Sequence, residues 1–127
     1  MLLELALAVA TSGLTMSTDL AGSNWRPSFM SASDLPASVH MLVHFSPDGK
    51  ISGNGGCNQF FGAYTVSGDH IAIGSIASTR KGCPGLIGVE AAFLATLQAA
   101  KSFVQEGSTL TLYDAAGTKL AQFVRAE

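Results

Sequence analysis

Nine residues constrain this fold more than any others: Ser52-Gly53-Asn54-Gly55-Gly56-Cys57-Asn58-Gln59-Phe60. Apolar residues alternate on either side of the run, as they do in strands, yet three glycines in four positions are too many for a regular strand. Glycine inside a strand pattern marks a bulge, a bend or the close approach of another backbone. A phosphate-binding loop is the competing use of dense glycine. It requires a helix opening behind it, with Lys and Ser or Thr, or with GxGxxG spacing. Here Cys57 and Asn58 follow, then an aromatic run with strand alternation. The stretch therefore predicts a sharp corner between two strands, with Gly53, Gly55 and Gly56 as its structural residues. Asn58 is expected to act locally, because Asn tolerates left-handed geometry and bonds its own backbone.

The rest of the chain supplies the strands that meet at this corner. Ser23 to Phe29 starts the domain as a short strand, with Trp25, the only tryptophan, expected in the core. Pro27 has no N–H to give a ladder and should keep this strand at an edge or end it early. Thr11 to Gly22 and Ser31 to Ser38 read as loops. From Val39 to Ser46, Val39, Met41, Val43 and Phe45 point one way and His40, Leu42 and His44 the other. Pro47-Asp48-Gly49-Lys50 is a hairpin turn, Ile51 to Gly56 its returning partner, and Phe60 to Val66 the next strand. Ser67-Gly68-Asp69 turns the chain, His70 to Ile76 pairs back, and Ala77 to Pro84 is irregular.

Leu86 to Lys101 is the one convincing helix, with Leu86, Val89, Phe93, Leu97 and Ala100 recurring at steps of three and four. Three short strands follow, at Phe103 to Glu106, Thr109 to Asp114 and Lys119 to Arg125, separated by tight turns. Strands this short, joined this tightly, predict an α+β fold. It is a small antiparallel barrel or curved sheet of about seven to eight strands, with the helix plugging one opening or covering one face.

Composition removes several function classes. Charged residues make up 13% of the 127, and the seven Lys and Arg are scattered in a chain of net charge −2, so no basic stripe exists to neutralise nucleic acid. Two cysteines and three histidines are too few and too dispersed for a structural zinc site. Residues 1–13 read as a truncated signal peptide or N-terminal apolar segment, and residues 14–127 as a single domain. Met1 to Ala10 is apolar and ends in Ala8-Val9-Ala10, an A-x-A cleavage pattern, although Glu4 interrupts it and no basic residue precedes it. The alternative is a short helix packed on the domain. Neither reading gives a membrane span, since the run is too short to cross a bilayer.

Candidate reactive groups are sparse. His40 and His44 lie four residues apart on a strand, about 13 Å, too far to share one metal ion. Asp69-His70 has no nucleophile nearby in sequence at hydrolase spacing. Glu90 lies on the apolar stripe of the helix beside Phe93. Its expected role is to sit in the first turn, near the positive end of the helix dipole. The alternative is a hydrogen bond to backbone donors of the Gly53–Asn58 bend. No catalytic residue, metal site or cofactor is read from the sequence.

Laid out in this order, the residues resemble the META domain family, the group related to the bacterial heat-shock protein HslJ. The resemblance is carried by Leu20-x-Gly22-x-x-Trp25, by Phe45-x-x-Asp48-Gly49-Lys50-x-x-Gly53, by the run from Gly56 and Cys57 to Tyr64, and by Thr79-x-x-x-Cys83. Glu90-x-x-Phe93-x-x-x-Leu97, Leu110-x-Leu112 and Gly117-x-x-Leu120 complete it. Lys81 stands where members often carry Met. The resemblance implies an incompletely closed antiparallel barrel with one helix and an apolar interior. It also implies an envelope or secreted bacterial setting and links to heat shock, stress tolerance or secretion. It implies no enzyme.

In such a setting Cys57 and Cys83 are expected to form a disulfide, closing a loop of about 27 residues and contributing roughly 3–4 kcal/mol on a chain-entropy basis. Two reduced, buried thiols are the alternative in a reducing compartment. The protein is then expected to be a monomer, periplasmic or secreted, that binds an unknown protein. An interior site for a lipid or other apolar ligand, lined by Phe45, Ile71, Phe93 and Leu112, is the second expectation.

Overall fold

The computed structural model describes residues 20–126, so the expectation for residues 1–13 lies outside the described residues. Nine strands and one helix follow in order: β1 (Ser23–Met30), β2 (Met41–Phe45), β3 (Lys50–Gly55), β4 (Gln59–Ser67), β5 (His70–Ile73), β6 (Ala77–Ser78), α1 (Ile87–Ala99), β7 (Ser102–Glu106), β8 (Thr109–Tyr113) and β9 (Lys119–Ala126). All pairings are antiparallel. The sheet runs β3-β2-β1-β9-β8-β7-β5-β4, and pairing of β3 with β4 closes it into an eight-stranded barrel. The extra strand, β6, continues along the edge of β4 where β5 leaves off, at Phe60 with Ser78 and Phe61 with Ala77. Of the return strand expected over His70–Ile76 only His70–Ile73 is strand, and the second piece, Ala77–Ser78, falls in the stretch expected to be irregular.

The hairpins follow their turn residues. Gly49, Gly68, Gly107 and Gly117 all take positive φ, as tight connections between twisted strands require. The turn at Ser46–Lys50 is further held by Tyr64, whose hydroxyl donates to the Ser46 carbonyl at 2.7 Å.

The start of the domain sharpens two expectations. Leu20, in the stretch expected to be a loop, is fully buried. Its carbonyl accepts from the Ser23 hydroxyl at 2.5 Å, and the Ser23 oxygen accepts from the Trp25 indole N–H at 2.6 Å. A buried indole needs an acceptor, and this relay provides it. Pro27 does not end β1, and the stretch of β1 that holds it pairs with β9 on one side only, as an edge strand does. It sits beside a bulge, in which Ser28 is the extra residue of β1 between the Pro27–Phe123 and Phe29–Gln122 pairs. The Ser28 hydroxyl there donates to the Gln122 carbonyl at 3.1 Å. β2 pairs with β1 only at Ser23, Asn24 and Trp25, so Pro27 lies beyond that ladder and its missing N–H breaks nothing there.

Trp25, Phe45, Phe60, Phe93 and Phe123 are the largest fully buried side chains. Phe93 stands 6.0 Å from the Phe60 ring of β4 and 6.4 Å from the Phe123 ring of β9, strands on opposite walls of the barrel. The helix therefore plugs an opening and sends one aromatic ring between the walls. Of the expected stripe, Phe93, Leu97 and Ala100 are buried and Leu86 and Val89 partly so. Thr96, which the stripe omitted, is buried too and bonds the Ala92 carbonyl of its own helix at 2.7 Å.

Candidate functional site

The glycine corner is where strand, helix and disulfide meet. Each of its glycines answers a different neighbour. A Cβ on Gly53 would lie 1.9 Å from the Leu42 carbonyl oxygen, so the close approach of β2 excludes any side chain there. The ring of Phe60, the register partner of Gly53 on β4, comes to 3.0 Å from the same point and covers the bare backbone. A Cβ on Gly55 would meet the Glu90 side chain at 2.9 Å. Gly56 takes φ +114°, which a side chain rarely adopts, and turns the chain out of β3. The Asn54 side-chain oxygen accepts from the Gly56 N–H at 2.8 Å and fixes that turn.

Into the space left by Gly55 comes Glu90, in the first turn of α1 and 9% exposed. One carboxylate oxygen, Oε2, accepts from the backbone N–H of Cys57 at 3.0 Å and of Asn58 at 2.6 Å. The other, Oε1, accepts from Asn58 Nδ2 at 2.7 Å. Glu90 is thus in the first turn, as expected, and its carboxylate bonds the backbone donors of the bend, as the alternative reading had it. Burial pushes its pKa up. Hydrogen bonds from the Asn58 side chain and the Asn58 and Cys57 backbones, with the Lys81 charge, outweigh that and hold it below the ordinary carboxylate value.

Asn58 corrects the expectation of a local role. Its Oδ1 accepts from the Thr79 hydroxyl at 2.8 Å and the Lys81 N–H at 2.6 Å, and its Nδ2 donates to the Lys81 carbonyl at 3.2 Å as well as to Glu90. Every side-chain bond reaches a residue more than 20 positions away. The reason is burial: an amide 6% exposed needs fixed partners, and it takes those the passing Thr79–Lys81 segment supplies. Thr79 also accepts from the Gln59 N–H at 3.1 Å. Composition gave no sign of this role for Thr79, although Thr79-x-x-x-Cys83 pointed to the segment. Lys81 bonds the clamp through its backbone while its side chain is exposed, so the position does not need Met.

Cys57 and Cys83 are joined in a disulfide with their Cα atoms 6.0 Å apart. It fastens the corner to the segment that leads into α1. Corner, Thr79–Lys81 segment and helix thus form one clamp, in which Glu90 and Asn58 spend their hydrogen-bonding capacity on fixed partners. Such a carboxylate is stable in its charged form and poorly suited to accept a proton.

The other candidates lie apart. Phe45, Ile71, Phe93 and Leu112 are all members of the buried core cluster. His44 Nδ1 lies 2.7 Å from Asn24 Oδ1, on the outer face of β2. His40 precedes β2 in the loop. Asp69 and His70 approach to 3.6 Å with both side chains mostly exposed. Among the described residues, no group of three His, Cys, Asp or Glu is placed to hold a metal ion, and no helix is long and apolar enough to cross a membrane.

Depressions mark the outer wall of the described residues. One, of about 440 Å³, lies over β2, β3 and β4 and is lined by Leu42, His44, Ser52, Asn54, Gln59 and Phe61 among others. Another, of about 490 Å³, opens between the second half of β1 and the 31–40 loop.

The META domain family model matches residues 18–127, a span that contains the corner, the clamp and every strand of the barrel. The chain belongs to the META domain family. No curated protein matches its sequence. Solved structures do match its shape. A protein from Burkholderia xenovorans, solved by NMR, is 20% identical with a TM-score of 0.72, over 97% of this chain and 94% of that one. A DUF4847 family protein from Bacteroides vulgatus is 14% identical with a TM-score of 0.64, over 83% of this chain and 93% of that one. At these identities the likeness is one of fold. Within this META domain, the clamp accounts for the Cys57, Asn58, Thr79, Cys83 and Glu90 positions that the resemblance singled out.

Proposed function

We propose that this META domain is a non-enzymatic envelope or secreted protein that acts in stress tolerance or secretion by binding a partner on its outer surface. The observation that carries this reading is how the inside is used. Trp25, Phe45, Phe60, Phe93 and Phe123 fill the space between the walls, and the helix seals one opening with Phe93. The buried polar side chains at the corner are bonded to one another and to backbone, so among the described residues they do not stand there as free reactive groups. The disulfide fits an oxidising, extracytoplasmic compartment.

The second reading is a lipid or other apolar ligand inside the barrel, favoured by the wholly apolar wall at Phe45, Ile71, Phe93 and Leu112. Native mass spectrometry of freshly purified, unreduced protein separates the two. Outer-surface binding predicts the bare chain mass, two daltons below that of the reduced form. A tightly held adduct of acyl-chain mass would favour the interior site instead.

A further inference from the structure

The ring of strands is complete, but one hairpin in it is not zipped. β1 runs to Met30, whereas its ladder with β2 stops at Trp25 opposite Val43. Beyond that point the two strands part around the 31–40 loop. The gap between them is the 490 Å³ groove, lined by Arg26, Pro27, Ser28, Leu35, Pro36, Ala37, Val39, His40 and Met41. Its volume is that of a small-ligand cleft, about 300–1,000 Å³.

Three observations say what fits it. The first is main chain. The Ser31 N–H donates to the Leu120 carbonyl of β9 at 2.9 Å. Strand groups alternate sides, so Phe29 also faces β9, and the N–H and C=O of Met30 face away from β9, on the side where β1 has no β2 partner. An unpaired strand edge of this kind accepts an extended segment through backbone hydrogen bonds. Pro27 and the bulge at Ser28 interrupt the edge, which limits indiscriminate pairing and leaves side chains to carry recognition.

The second observation is the lining itself. Leu35, Val39 and Met41 give an apolar wall, which suits the alternate apolar side chains of a strand. The third is charge. Arg26 is exposed and makes no ion pair among the described residues, and the neighbouring groove position His40 adds a second nitrogen-bearing side chain. A free guanidinium beside an open strand edge is matched by a carboxylate, which it binds through paired N–H donors.

We infer that the mouth of the β1–β2 hairpin is a docking site for an extended peptide segment, apolar at alternate positions, that carries an acidic side chain to Arg26. This rests on the outer-surface reading above and names the partner class and the place. The test is selection of random dodecapeptides displayed at the N-terminus of a phage coat protein, using the disulfide-intact domain as bait. The selected sequences should be enriched in Asp or Glu flanked by β-branched residues. Binding should fall at least tenfold with Arg26→Glu, an exposed substitution whose folding is checked by circular dichroism. Backbone amide shifts on adding a selected synthetic peptide should fall on Ser28, Met30 and Val39–Met41. The inference is overturned if no sequence is enriched, if the selected peptides bind the Arg26→Glu domain equally, or if the shifts lie on another face. An acyl adduct in the native mass spectrum would instead count against the outer-surface reading, so the two failures are distinct.

Discussion

At the scale of single residues, Glu90 shows how a sequence position on an apolar stripe acquires a polar role. Its place on the helix left two roles open, the helix dipole and the donors of the Gly53–Asn58 bend; the second is the one it fills, and it could not be chosen locally because Gly55, Cys57 and Asn58 lie more than 30 positions away. The same holds for Asn58, read as a turn residue from its type alone. By contrast Trp25 and the glycines at tight turns were legible, because an indole and a positive φ each have few places to go. The clamp makes a sharp prediction. In Glu90→Gln the amide NH2 must face N–H donors, so buried donors lose their acceptor, and urea unfolding should register a loss of about 2–4 kcal/mol. The sign of the pH effect follows from the lowered pKa of Glu90. The charged form contributes its full stability above the unfolded value of about 4.3, and that contribution is lost as pH falls through the lower folded value. The difference between wild type and Glu90→Gln should therefore shrink on acidification below about pH 4. A constant difference from neutral pH to strongly acid solution would show that the carboxylate charge is not what holds the bend.

Among the elements, strands and helix were legible where side chains alternate with a fixed period. Met41–Phe45 is buried at every second residue as its pattern requires, and α1 lies within two residues of its expected bounds. What the pattern did not reveal was β6, a two-residue strand too short to carry a period. Nor did it decide whether Pro27 would end β1 early or leave it at an edge, which depends on where the β2 ladder stops. The connection between elements that the sequence did suggest is the disulfide. It joins the end of the corner to the approach to α1, a span of 26 positions. Both ends are also held by the Asn58 and Glu90 bonds, so the native geometry is kept without it and its effect falls on the unfolded chain. The Cys57→Ser, Cys83→Ser double variant should thus keep the wild-type circular dichroism spectrum but lose about 3 kcal/mol in urea unfolding. A collapse of the folded spectrum would mean that the disulfide, and not the hydrogen bonds, positions the helix.

For the whole molecule, closure is the property that no local stretch encodes. The first and last strands of the barrel are neighbours: β1 and β9 pair from Asn24 with Ala126 to Met30 with Ala121. A sequence read in order predicts hairpins, but the meeting of β1 with β9 is a long-range choice that depends on the whole ring being filled. The ring is not equally strong all round. β5 meets β7 at a single register pair, His70 with Ser102, flanked by Ile71 N–H to the Lys101 carbonyl at 3.1 Å and Phe103 N–H to the Asp69 carbonyl at 2.9 Å. Lys101 lies in the two-residue link between α1 and β7, so this seam and the seat of the helix plug are mechanically one. Local opening should begin there, because an opening unit exposes least where the ladder is shortest. Native-state hydrogen exchange read by NMR should find the Ile71 and Phe103 amides at least tenfold less protected than those of the β1–β9 ladder, a difference of about 1.4 kcal/mol or more. Because the link carries the helix, the amides of Leu97 and Ala100 should follow the seam rather than the far wall. Equal protection at both seams would mean that the barrel opens only by global unfolding, with the plug and the thin seam held by the same cooperative core as the terminal strands.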